Sequence, residues 1–183
     1  MKGVVFDILR DMVEEQFGLE GWNALLEKAG SDGLYLSSES YPDEEMSKLV
    51  QVATDYTGMS TEDLLRHFGQ YMIRQFYDRF PSFFDNRHDL LDFLNSVDRI
   101  VHVEVLKLYP DANLPKFNYE QDTPKALTMI YHSKRRMCWL AEGLILGSAI
   151  HYGQKVRLIH DVCMHKGHDS CHIQVELLES DDG

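Results

Sequence analysis

The chain has 183 residues, enough for one domain or one domain with two lobes, and its 44% hydrophobic residues supply a sizeable core. A net charge of −12, from 18 basic and 30 acidic residues, argues against nucleic acid or an anionic membrane as partner, because both need clustered Lys and Arg. No apolar run is long enough to span a bilayer, and Asp7 spoils the N-terminal patch as a signal peptide, so the three cysteines point to a reducing cytoplasm rather than a disulfide framework.

Val4, Val5, Ile8, Leu9, Met12, Val13 and Phe17 recur at the spacing of one helix face, and Gly18 is placed to end that helix. A short helix is expected over Trp22 to Lys28, and another from Asp43 to Tyr56 with Met46, Leu49, Val50 and Ala53 on one side. Ser60 reads as an N-cap, with Glu62 and Asp63 in the first turn of a helix that stops at Pro81. A longer helix is expected from about Asn86 to Leu108, ending before Pro110. Pro110 to Pro124 holds three of the five prolines and reads as an ordered loop.

Leu127, Met129 and Tyr131 then alternate as in a strand. Met137 to His151 returns to helical spacing through Leu140, Ala141, Leu144 and Ser148. Val156, Leu158 and His160 alternate, as do Ile173, Val175 and Leu177 further on. With Gly167 between them, these two runs predict a hairpin. The tail from Glu179 to Gly183 is expected to fray. The fold class is α+β: one domain over 1–183, with a helical lobe over 1–60 followed by an α/β lobe over 61–183 that carries an antiparallel sheet.

Three groups of residues carry chemistry. His102 lies late in an apolar helix, where a neutral imidazole is either a core histidine or an axial ligand for haem iron. Tyr131, Ser133 and Arg135 recur with period two, which in extended backbone puts a phenol, a hydroxyl and a guanidinium on one side. Together with the local basic run Lys134-Arg135-Arg136, that set fits carboxylates held at a pocket mouth. Cys163 and Cys171 flank the expected hairpin turn, and Cys138 starts the preceding helix. Three thiolates and one imidazole would close a tetrahedral zinc site. His160 is the preferred fourth ligand, from its His-x-x-Cys spacing to Cys163, with His165, His168 and His172 as rivals. There is no nucleophile elbow, phosphate loop or usefully spaced carboxylate pair, so a binding protein is expected and not an enzyme.

The stretch Val101-His102-Val103-Glu104-Val105-Leu106-Lys107-Leu108-Tyr109-Pro110, followed by Leu114-Pro115, resembles the proximal haem segment of H-NOX domains. Tyr131-x-Ser133-x-Arg135 matches the propionate motif of that family, and the Met1-Lys2-Gly3 start and the Trp22 region are also similar to it. The resemblance implies a b-type haem between the two lobes, with His102 as proximal iron ligand. Tyr131, Ser133 and Arg135 would hold the propionates, and Pro115 would press on the porphyrin. It makes Val5, Leu9 and Leu144 candidates for an apolar gas pocket. Oxygen-binding relatives carry a tyrosine near Leu140, so leucine there implies a sensor of nitric oxide, with carbon monoxide also accepted and oxygen excluded. Thiol-rich members resemble the cysteine pattern and carry a Cys3His zinc site linked to oxidation sensing. The family implies output to a separate histidine kinase or cyclic-dinucleotide enzyme, within two-component signalling. The region from Gly143 to Cys171 also resembles V4R-like domains. The alternative is therefore a zinc-stabilised interaction module without haem, in which His102 is structural.

Overall fold

In the computed structural model, which describes residues 1–179, helices occupy the first half and an antiparallel sheet dominates the second. The expected fraying beyond Glu179 lies outside the described residues. Helix α1 (Gly3–Ala29) joins the two short helices predicted at the N-terminus into one element with a kink. The kink is at Gly18, whose φ of 69° and ψ of 178° are open to a residue without Cβ. Helix α2 (Asp43–Thr57) has Asp43, Glu44 and Glu45 in its first turn, where they oppose the positive end of the helix dipole. Helix α3 (Thr61–Arg79) is capped by Ser60, whose side chain accepts from the Asp63 amide at 3.1 Å.

The single helix predicted from Asn86 to Leu108 is instead three short pieces, preceded by one more helical turn. Helix α4 (Ser82–Asp85) is followed by α5 (Leu90–Ser96), one widened π turn (Val97–Val101) and α6 (His102–Leu108). Asp89 restarts the helix by accepting from the Asp92 amide at 2.8 Å, a cap hidden inside the apolar periodicity. The π turn displaces one residue from the regular ladder, and the Asp98 amide donates to the Tyr119 hydroxyl at 3.2 Å.

The predicted loop from Pro110 to Pro124 contains a strand, β1 (Lys116–Thr123), which pairs antiparallel with β2 (Ala126–His132). Pro115 and Pro124 bracket that edge strand without interrupting its hydrogen bonds. After helix α7 (Cys138–His151) come β3 (Val156–Ile159) and β4 (Cys171–Leu177), which pair antiparallel as the predicted hairpin. The sheet order is β1-β2-β4-β3, so β4 sits between the strand that precedes it and the strand from the middle of the chain. The α+β class is thus the observed one.

Two apolar cores form. One gathers Val4, Phe6, Ile8, Met46, Leu49, Leu65 and Phe68 between α1, α2 and α3. The other gathers Leu90, Phe93, Leu127, Met129, Ile145, Ile173 and Val175 between α5, α7 and the sheet. They meet along α3 and α7, which approach backbone to backbone. A Cβ on Gly69 would stand 2.6 Å from the Leu140 carbonyl oxygen, and one on Gly143 would stand 2.2 Å from that of Arg66. Among the described residues no helix is long and apolar enough to cross a membrane.

Candidate haem cavity and cysteine-histidine cluster

Between the two cores lies a cavity of about 490 Å³, within the usual size range of small-molecule sites. His102, Pro115, Tyr131, Ser133, Arg135, Leu140 and Leu144 all line it, although they come from α6, the following loop, the end of β2 and α7. Val5 lines it as well. Leu9 does not; it faces a separate apolar cavity of about 410 Å³ between α1, α2 and α3.

The π turn delivers His102 as the first residue of α6. Its Nδ1 lies 3.4 Å from Oδ1 of Asp98, one turn earlier, and the same carboxylate accepts from the Phe117 amide at 3.3 Å. Burial lowers the His102 pKa and outweighs the opposing pull of Asp98. The imidazole is therefore neutral near pH 7, and with Nδ1 on Asp98, Nε2 is the ring nitrogen left for a metal. Asp98 was missed in the sequence, although its i,i+4 spacing to His102 was a usable signal.

At the mouth, strand β2 ends at His132, so Ser133 and Arg135 lie in the turn beyond it. The three residues reach one cavity because the chain turns there, and not because extended backbone alternates. The Tyr131 hydroxyl accepts from the Met137 amide at 3.1 Å, and burial pushes its pKa up, so it stays a neutral donor. Arg135 donates from Nε to Asp43 at 2.7 Å and from Nη1 to the Asn113 carbonyl. Burial would raise the Asp43 pKa, but hydrogen bonds from the Met1 amino group and Arg135 hold it below the usual carboxylate range. Five N–H groups on Arg135 leave donors for an additional anion. A neutral histidine on an apolar wall, with a cationic fork at the rim, is a donor set that fits haem.

The second constellation lies where α7 starts against the sheet. Cys138, His160, Cys163 and Cys171 place their ligand atoms within 4.8 Å of one another. The Cys138 and Cys163 sulfurs are 3.7 Å apart, and those of Cys163 and Cys171 are 3.8 Å apart. A tetrahedron with Zn–S bonds of about 2.3 Å has edges of about 3.8 Å, so the spacing suits four-coordinate zinc and is far too long for a disulfide. Burial pushes the Cys138 and Cys171 thiols up, which leaves neutral thiols unless a cation favours the thiolates. The Nε2 atom of His160 is buried without a hydrogen-bond partner, while its Nδ1 meets Glu142. That orphaned nitrogen belongs to the same cluster as the three sulfurs. The rival histidines are engaged elsewhere or exposed. His165 stacks on Trp139 and meets the Arg136 carbonyl, His172 meets Ser170, and His168 faces solvent.

Glu142 is 3% exposed and was passed over in the sequence. Its Oε2 accepts from Arg66 Nε at 2.5 Å. Burial would raise its pKa, but the hydrogen bonds from His160 and Arg66 hold it below the ordinary value. A lone carboxylate amid Trp139, Leu140, Ala141, Gly143 and Leu144 was the available signal.

A profile of haem-NO-binding domains matches residues 2–160. An H-NOX protein from Shewanella oneidensis, solved in its Fe(II)NO ligation state, superposes with a TM-score of 0.93 at 36% identity and covers 98% of this chain and 100% of its own. The unliganded Fe(II) H-NOX protein from K. algicida gives a TM-score of 0.91 at 31% identity with full coverage of both chains. A soluble guanylate cyclase of Caenorhabditis elegans, gcy-31, is 24% identical over 143 residues, 74% of this chain. The chain spans only 20% of that protein's length, so the match does not bring cyclase activity with it. The profile, the superposed structures and the histidine-lined cavity agree: this chain belongs to the H-NOX family of haem-binding gas-sensor domains.

Proposed function

We propose that the protein is a sensor of nitric oxide, with carbon monoxide as a further ligand, that excludes oxygen and signals to a separate histidine kinase or cyclic-dinucleotide enzyme. The observation that carries this reading is the neutral, largely buried imidazole of His102 on a cavity whose lining includes Leu140, a side chain without a hydrogen-bond donor. A bound b-type haem would supply an iron with one open position for a diatomic gas. His102 would hold that iron, with Asp98 fixing the ring through Nδ1. Tyr131, Ser133 and Arg135 would take the propionates, and Pro115 would bear on the porphyrin. Leu140 and Leu144 offer no hydrogen to a polar oxygen complex, which nitric oxide does not require. The Fe(II)NO state of the Shewanella oneidensis relative supports the choice of ligand. Residues 1–60 would form the distal lobe and 61–183 the proximal lobe of one domain, placed in the cytoplasm. The alternative of a haem-free module leaves a cavity of about 490 Å³ without an occupant.

The deciding experiment is an absorption spectrum of anaerobically reduced, haem-loaded protein before and after nitric oxide, and again in air. A five-coordinate ferrous spectrum that shifts with nitric oxide and not with oxygen supports the reading. A stable oxygen complex overturns the ligand choice, and protein that takes up no haemin overturns the sensor.

The cluster of Cys138, His160, Cys163 and Cys171 is proposed as a zinc site that doubles as a redox input, because thiolates oxidised by peroxide no longer hold the metal. Metal analysis before and after peroxide tests it. One zinc per chain that falls on oxidation is the expected result, and protein that never carries metal overturns it.

A further inference from the structure

We infer that Glu142 is a positioning residue for the cysteine-histidine cluster. It fixes the His160 ring so that Nε2 faces the metal, with Arg66 anchoring the carboxylate in turn. The inference rests on the zinc reading above.

Three observations carry it. Glu142 is almost fully buried on α7, where an isolated carboxylate is costly, yet both of its oxygens are used. Oε1 meets Nδ1 of His160, and Oε2 accepts from Nε of Arg66 on α3. His160 is left with one ring nitrogen, Nε2, that is buried, unpartnered and grouped with three sulfurs. A carboxylate accepting from one nitrogen of an imidazole selects the tautomer whose other nitrogen carries the lone pair, and it raises the basicity of that ligand. The remaining charge is met by Arg66, which is itself braced by Glu62 and Asp63 at 3.6 Å and 3.2 Å. The chain of contacts therefore runs from the surface of α3, through Glu142, to His160. It reaches the metal position without using any cysteine.

Glu142→Gln keeps the volume but removes the charge. Zinc affinity, measured by competition with a chromophoric chelator, is expected to fall about 10- to 100-fold. His160→Cys supplies a fourth thiolate that has no Nδ1 to orient. In that background Glu142→Gln is expected to change zinc affinity less than about 2-fold, which separates an effect through His160 from a general loss of packing. Cobalt substitution adds a readout free of haem: the d–d bands of the wild-type protein should shift in Glu142→Gln and stay fixed between the two His160→Cys proteins. Unchanged zinc affinity in Glu142→Gln, or an equal loss in both backgrounds, overturns the role of Glu142 while leaving the zinc site standing. Wild-type protein that binds no zinc overturns both.

Discussion

Nδ1 of His102 sits 3.4 Å from Oδ1 of Asp98, which lies inside the π turn that leads directly into His102. The carboxylate and the imidazole are held at that separation by the backbone, because Asp98 also receives the Phe117 amide and gives its own amide to Tyr119. In the haem-loaded protein Asp98→Ala is expected to weaken the proposed bond between His102 and iron. A downshift of the iron-histidine stretch in resonance Raman spectra is the readout, with imidazole-rescued His102→Gly as the reference for a ligand with no such partner.

Arg135 joins the rim of the cavity to α2 through Asp43. Removing it takes away a charge-assisted contact to any propionate and leaves Asp43 to the Met1 amino group alone. Haem transfer to an excess of a haem-scavenging protein is expected to accelerate about 10-fold or more in Arg135→Leu, the scale of one hydrogen bond to a charged group. A rate within about 2-fold of wild type would show that the propionates are held elsewhere.

Asp111 pairs with Lys2 at 2.6 Å and accepts from Ser40 at 2.7 Å. These bonds lower its pKa to about 2. Because the folded value lies below that of an unfolded chain, about 3.9, the contribution is complete above pH 3.9 and is lost as pH falls toward 2. A carboxyl titration followed by NMR should find the midpoint of Asp111 near 2, and Lys2→Met should return it toward 3.9.

Gly143 faces the Arg66 carbonyl so closely that a methyl group there would stand 2.2 Å from the oxygen. The obstacle is backbone, which cannot swing aside. Gly143→Ala is expected to destabilise the fold by about 2 kcal/mol or more, read as a fall in the midpoint of thermal unfolding. An unchanged midpoint would mean that α3 and α7 separate at little cost.

How far the sequence disclosed this molecule depended on what each residue does locally. The helices with one apolar face, α2 and α3, followed from periodicity because their buried residues recur every three or four positions, and α7 followed from its length and apolar composition, being buried on most sides. Strand β1 was concealed by Pro115 and Pro124, which mark a loop by composition and here only bracket an edge strand. The π turn and the Asp89 cap sit inside an unbroken apolar pattern, so nothing in that pattern reports them. For the site, His102, Tyr131, Ser133, Arg135 and the three cysteines were legible as residue types that bind metals or anions. Asp98 and Glu142 left fainter signals, a spacing of four from His102 and an apolar setting, because a carboxylate on a helix is ordinarily a solvated face, and for Glu142 only three-dimensional contact shows which histidine it serves.

The glycines at 69 and 143 set α3 and α7 so close that neither helix can slide past the other without lifting off. The pair is packed as a single beam. One side of that beam carries Leu140 and Leu144 on the wall of the haem cavity, and its end carries Cys138, with Glu142 reaching His160. A tilt imposed at either place is expected to reach the other through that close backbone contact. Amide exchange in the two helices should accordingly slow or quicken in step when the cavity is filled.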